Sequence, residues 1–302
     1  TDFILSCGDN VDNGKNIMQY TWWLDGQSDV WTNNTLVTLA GNHEKKNYSL
    51  SSVIATPDEA IINETGYYYS YDYQNVHFVI LDTNDLGADN ALSAAQTEWL
   101  VADLKKANES EKIDFIVVSL HKGPYTAGSH AFDEDVIALR HQLTPIFADN
   151  NVDLVLQGHD HTYSVSERLD REGKKSDNGV LYINLGTMGD KYYNYIYSDE
   201  VSIIKRTSVD PRIASYLTED GYLELTETPC FLKVEVDGKK FVVKSYTIVN
   251  GEEVLVDDID LSKGGSLSTG AIVGITVAAV AVAAIVVLVI VFAVSKKKKK
   301  IA

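Results

Sequence analysis

The chain has 302 residues, 45% of them hydrophobic and 23% charged, an ordinary globular composition that fits one large domain or two small ones and excludes little. The charge says more: at −17, with 43 acidic against 26 basic residues and five of the latter in the run 296–300, the surface repels phosphate backbones and makes nucleic acid a poor candidate for a tightly held partner. Cys7 and Cys230 lie too far apart in sequence to form the framework that staples small secreted domains.

In chain order, the first element is an apolar run at 3–7, FILSC, which reads as a core strand with Cys7 as a buried thiol. A strand directly after Thr1, which is not a methionine, is read as the start of a fragment or processed chain. Further strands are predicted at 35–40, 67–73, 76–81, 115–120, 154–157 and 180–185, and helices at 94–107, with Ser93 as N-cap, and 133–149. A tyrosine-rich, irregular stretch covers 190–222. It is followed by strands at 230–236 and 241–249, joined by the hairpin signal Asp237-Gly238. Strands interleaved with helices predict an α/β sheet domain with an antiparallel ending.

Residues 270–294 carry no charged side chain and precede five lysines. As a helix this stretch is long enough for a hydrocarbon core of ~30 Å, and the lysines place the C-terminus in the cytoplasm with the large domain outside. The expected organisation is a catalytic domain at 1–260, a linker at 261–269, one transmembrane helix at 270–294 and a polybasic cytoplasmic tail at 295–302.

Four predicted strands end alike, the apolar run giving way to side chains that metals favour. FILSC leads to Gly8-Asp9, TLVTLA to Gly41-Asn42-His43-Glu44, FIVVSL to His121, and DLVLQ to Gly158-His159-Asp160-His161. Loops at the carboxyl ends of strands converge while the sheet holds them, so four such ends point to one site. Taken singly each is weak: Asp9 could shape a turn, and an isolated histidine after a strand is usually only hydrogen-bonded. A calcium loop starting at Asp9 is excluded, because its third position is Val11 and its twelfth is Tyr20. His77 and His141, in a strand and a helix, read as structural.

GDNVD, GNHE, the histidine of SLHKGPY and GHDH resemble four of the five blocks of the calcineurin-like metallophosphoesterase superfamily, in the same order. FVILDTN, AQTEWLVADL, NVDLVLQGHDHTYS and LGTMGDKYY are similar to its purple acid phosphatase branch and bacterial relatives. The resemblance implies a metallophosphoesterase-type β-sandwich flanked by helices, and a pair of divalent or trivalent metal ions, iron, manganese or zinc. It implies that Asp9 bridges both ions, that Asn42, His121 and His159 complete the second, and that His161 binds the first. It makes His43 the catalytic partner of Asp9, bonding the phosphoryl group and assisting the leaving oxygen.

Two departures from the family pattern stand out. The family's first block cannot lie within residues 1–8 and is expected upstream of Thr1, which leaves Asp9 and His161 for the first metal. The position of the tyrosine that colours purple acid phosphatases holds Asp12, read either as a carboxylate supporting the site or as a turn residue. His130, Tyr125 and Tyr163 flank the motifs and are candidates for contact with a small phosphorylated substrate. The expected activity is hydrolysis of phosphate monoesters at the cell surface. The rivals are a phosphodiesterase or nucleotidase acting on nucleotides or cell-wall polymers, and an inactive surface binding protein on the same fold.

Overall fold

The computed structural model describes residues 1–44, 55–189, 191–196, 212–213 and 228–264. The chain divides into two compact units, Thr1–Leu261 and Ser262–Ala302. Of the second unit only residues 262–264 are described, so the predicted membrane helix at 270–294, its tail and most of the stretch 190–222 lie outside the described residues. Among the described residues no helix is long and apolar enough to cross a membrane.

The first unit opens with β1 (Phe3–Ser6), α1 (Ile17–Gly26), α2 (Ser28–Asn33) and β2 (Thr35–Thr38). The two strands pair in parallel, Phe3 opposite Thr35 and Ser6 opposite Thr38, so their carboxyl ends finish side by side. There follow β3 (Ile61–Ile62), β4 (Tyr67–Tyr73), β5 (Val76–Ile80), α3 (Ala94–Glu109), β6 (Phe115–Lys122), α4 (Glu134–Asp149), β7 (Leu154–Gly158), β8 (Tyr163–Val165) and β9 (Leu181–Leu185). They build a seven-stranded sheet in the order β3-β4-β5-β6-β7-β9-β8. Its centre is parallel, with α3 and α4 as crossovers. The unit closes with β10 (Cys230–Asp237), β11 (Lys240–Val249) and β12 (Glu252–Asp260), an antiparallel three-stranded sheet.

The sandwich follows from the alternation of side chains along strands that are apolar on both faces. From β6, β7 and β9, Phe115, Val117, Leu154, Leu156, Leu181 and Ile183 point to one side, where they meet Phe241, Val243, Val254 and Val256 of the three-stranded sheet. Ile116, Val118, Val155 and Tyr182 point to the other and pack on Leu100, Leu104, Leu139, Leu143 and Phe147 of α3 and α4. The α/β reading therefore holds, with a β-sandwich flanked by helices. Ser93 caps α3 as expected, its side chain accepting from Gln96 N–H. Cys7 and Cys230 are buried free thiols.

Five elements went unforeseen, one of them the two-residue strand β3. Helix α1 buries only Tyr20, so IMQYTWWLDG shows no apolar stripe, and α2 buries nothing. Strand β12 reads EEVLVDDID; its acidic residues mask the alternation in which Val254 and Val256 carry the buried apolar face. Strand β8 has three residues, too short to show a period.

His77 on β5 is structural, as read. Its Nδ1 lies 2.6 Å from an Asp72 oxygen and its Nε2 3.0 Å from an Asp103 oxygen, tying β4 and α3 together. Burial opposes the imidazolium, but the hydrogen bonds and charges of Asp103 and Asp72 prevail and raise its pKa. A group whose folded pKa lies above its unfolded value of ~6.5 contributes stability that is complete below that value and is lost as pH rises through the folded pKa. The urea midpoint is expected to fall across that window in the wild type, whereas in His77→Gln this component of the slope is absent.

Candidate metal centre

Each candidate ligand sits where a strand stops, and the backbone at these stops is specialised. After β1 the chain passes through Gly8 (φ 88°) and Asp9 (φ 53°), consecutive left-handed residues that turn the Asp9 carboxylate back over the strand ends. His121 lies on β6 at an irregularity in its pairing with β7: Leu120 pairs with Gln157 and Lys122 with Gly158, leaving His121 as the extra residue. Such a bulge re-aims a side chain. His159 follows β7 with φ 69°.

These devices bring four side chains together. His121 Nε2 lies 2.9 Å from Asn42 Oδ1 and 3.2 Å from Asp9 Oδ2, while its Nδ1–H donates to the Cys7 carbonyl at 2.8 Å. Ligand atoms of Asp9, His121 and His159 all fall within 4.8 Å of one another. With Nδ1 carrying the proton, Nε2 presents its lone pair to two acceptor oxygens, and a cation satisfies all three at once. The donor set, one carboxylate, one amide oxygen and two imidazoles, suits zinc, manganese or iron. The site thus fits the metal that its residues imply.

The charges agree. Burial works against ionisation of Asp9, but the charge and hydrogen bond of His121 and the His43 N–H outweigh it and hold the carboxyl below its usual range. Burial also opposes a charged His121, and here the Asp9 carboxylate prevails and raises the pKa, a pull on positive charge that a bound cation would satisfy in place of the ring proton. His159 is pushed down to about 2 by burial and by the charges of His121, His130 and Lys122, which keeps its ring neutral, the form that ligates.

His161 stands outside this tight group. Its Nδ1–H donates to the Lys191 carbonyl at 2.7 Å, so Nε2 is the free nitrogen, and burial lowers its pKa. His43 donates its backbone N–H to Asp9 Oδ1 at 3.0 Å, and its Nδ1–H donates to the Asp12 carbonyl at 2.6 Å. That tautomer leaves His43 Nε2 directed to the Asp9 side, 3.9 Å from Oδ2. The Asp12 side chain is 86% exposed with Oδ1 3.6 Å from His43 Nδ1, and the closer backbone carbonyl makes the hydrogen bond that orients the ring. His130 stacks on His159 with ring centroids 4.1 Å apart, and its Nδ1 pairs with Asp133 at 2.6 Å.

Two of the expected substrate contacts are corrected. Tyr125 is buried against Tyr182, and its hydroxyl accepts from Thr144. Tyr163 is buried and donates to Asp257 and Ser245, binding β8 to the three-stranded sheet. Both face the core because proximity to a motif in sequence says nothing of which way a side chain points.

Two further residues shape the site. Glu44, the last residue of GNHE, is 1% exposed, and its carboxylate accepts backbone N–H groups from Asp9, Asn10, Val11 and Gly41. Asp160, the third residue of GHDH, accepts from the Thr126 hydroxyl and from the His130 N–H at 3.2 Å, fastening the loop that carries His130. The signal was in the motifs, which contain both residues.

A sandwich with carboxylate, amide and imidazole donors gathered at its strand ends is the architecture of a metallophosphoesterase. Residues 1–163 match the calcineurin-like phosphoesterase family, and the chain belongs to it. It is 27% identical over 159 residues to purple acid phosphatase 18 of Arabidopsis thaliana, a match covering 50% of this chain and 35% of that protein. The chain therefore spans about a third of the length of that relative. Among solved structures it resembles a purple acid phosphatase, PPD1, from yellow lupin, with a TM-score of 0.69 at 15% identity, over 86% of this chain and 46% of that one. It also resembles GAP50, the anchor in the inner membrane complex of Plasmodium, with a TM-score of 0.60 at 18% identity, over 89% of this chain and 80% of that one. These two likenesses are of fold.

Proposed function

We propose that this protein hydrolyses phosphate monoesters with a pair of metal ions, on a domain held outside the cell membrane by residues 270–294. The observation that carries the reading is the convergence of Asp9 Oδ2, Asn42 Oδ1 and His121 Nε2 at the carboxyl ends of three strands. Asp9, Asn42, His121 and His159 would hold one ion, and Asp9 and His161 would contribute to the other. When bound, such ions lower the pKa of a shared water and neutralise phosphoryl oxygens.

The chain's own residues supply the rest. His43, fixed by the Asp12 carbonyl, keeps Nε2 free to hold or deliver a proton toward the leaving oxygen. His130, backed by Asp133 and stacked on His159, adds a second imidazole for the phosphoryl oxygens. The uncharged stretch and its flanking lysines support the membrane anchor.

The test measures metal content and hydrolysis of 4-nitrophenyl phosphate against its bis-ester by the full chain. Retention of metal and faster cleavage of the monoester than of the bis-ester are expected. Faster cleavage of the bis-ester would instead establish the diesterase reading. Failure of the chain to retain metal would leave a binding protein on a phosphatase fold.

A further inference from the structure

The segment at 191–196 is strapped across both histidine loops of the site. The Tyr193 N–H donates to the His161 carbonyl at 3.2 Å, and the Ile196 N–H to the Ala127 carbonyl at 2.7 Å. The Tyr195 hydroxyl donates to the Tyr163 carbonyl. Tyr193 itself is wedged between the loops, stacked on His161 with centroids 4.6 Å apart and edge-on to His130 at 5.4 Å. The ammonium of Lys191 lies 5.2 Å from the centroid of that same ring. Since His161 fills one face of Tyr193, the ring acts as a spacer between the imidazole and the ammonium.

Lys191 is exposed, and among the described residues no carboxylate lies within ion-pair distance of it. The other lysine near the ligands, Lys122, is already paired with Asp135. Anions approach this chain against a net charge of −17, so a cation at the mouth of the site weighs heavily in what binds there.

We propose that Lys191, held by the Tyr193 ring one spacer away from His161, is a specificity residue that receives a second anionic group on the leaving-group side of the substrate. The preferred phosphoesters are then those whose leaving group carries a further carboxylate or phosphate. This rests on the phosphoesterase reading above and narrows its substrate class.

The experiment uses two non-hydrolysable probes, phenylphosphonate and 4-carboxyphenylphosphonate, titrated calorimetrically into the full chain supplemented with Mn²⁺. The wild type is expected to bind the carboxylated probe about tenfold more tightly, the scale of one charge-assisted hydrogen bond. Lys191→Gln abolishes that preference and leaves phenylphosphonate binding within about twofold, while Lys191→Arg retains it. Because Lys191 is exposed, both variants keep the wild-type melting temperature. Equal binding of the two probes by the wild type overturns the inference and spares the phosphoesterase reading. Equal weakening of both probes in Lys191→Gln also overturns it, because the ammonium would then hold the scissile phosphoryl group. Binding of neither probe to the wild type would bring down the reading on which the inference rests.

Discussion

Gly41→Ala is expected to lower kcat/KM for 4-nitrophenyl phosphate by at least ~100-fold, the scale on which a ~1 Å misplacement of a catalytic group is felt. A Cβ at Gly41 would stand 2.1 Å from Asp9 Oδ1 and 2.4 Å from the Asp9 nitrogen, far inside contact distance. The Asp9 loop has nowhere to yield, because Gly8 behind it is itself pressed against Gly41: a Cβ at Gly8 would lie 2.8 Å from the Gly41 nitrogen. The carboxylate must therefore leave the point where it meets His121 and Asn42. Metal content should fall in parallel with activity while far-UV circular dichroism is unchanged. Gly26→Ala is the control, since a Cβ there meets nothing within 4 Å, and it should stay within about twofold of wild type. An active, metal-replete Gly41→Ala protein would show that Asp9 does not act where the structure places it.

What was legible in the sequence follows from how strongly each element announces itself. The central strands β5, β6, β7 and β9 are apolar on both faces, so their runs stand out at any register. Helix α1 lies on the surface with only Tyr20 inside, and no hydrophobic period marks it. The candidate ligands Asp9, Asn42, His121 and His159 are legible because each follows an apolar run, and the parallel sheet brings such ends together. Orientation was not legible: Tyr125 and Tyr163 border the motifs, yet both point into the core. Nor was the part of the backbone at Asp12, whose carbonyl makes the hydrogen bond to His43 while its exposed carboxylate lies 3.6 Å away. The tyrosine-rich stretch after β9 read as irregular, and the contact of Tyr193 with His161 depends on a chain reversal that no local pattern encodes.

Glu44 carries the last prediction, because it links the two loops that Gly41 and Asp9 occupy. Its carboxylate accepts from Asp9 N at 2.9 Å, Asn10 N at 2.6 Å, Val11 N at 3.3 Å and Gly41 N at 2.8 Å. Burial, together with the Asp9 charge, raises its pKa, so the fold bears the cost of a buried acid in order to hold these four donors. Glu44→Ala leaves them without that partner, and each buried donor left unmet costs about 1–3 kcal/mol. A loss of about 3–6 kcal/mol in urea unfolding is expected, with some donors reaching water. Glu44→Gln keeps the shape but turns an amide NH₂ toward N–H groups, and should cost about 2 kcal/mol. Metal affinity should follow the same order, wild type above Gln above Ala, because the carboxylate holds the turn that aims Asp9. If Glu44→Ala unfolds within about 1 kcal/mol of wild type, the two loops are held by something other than this carboxylate.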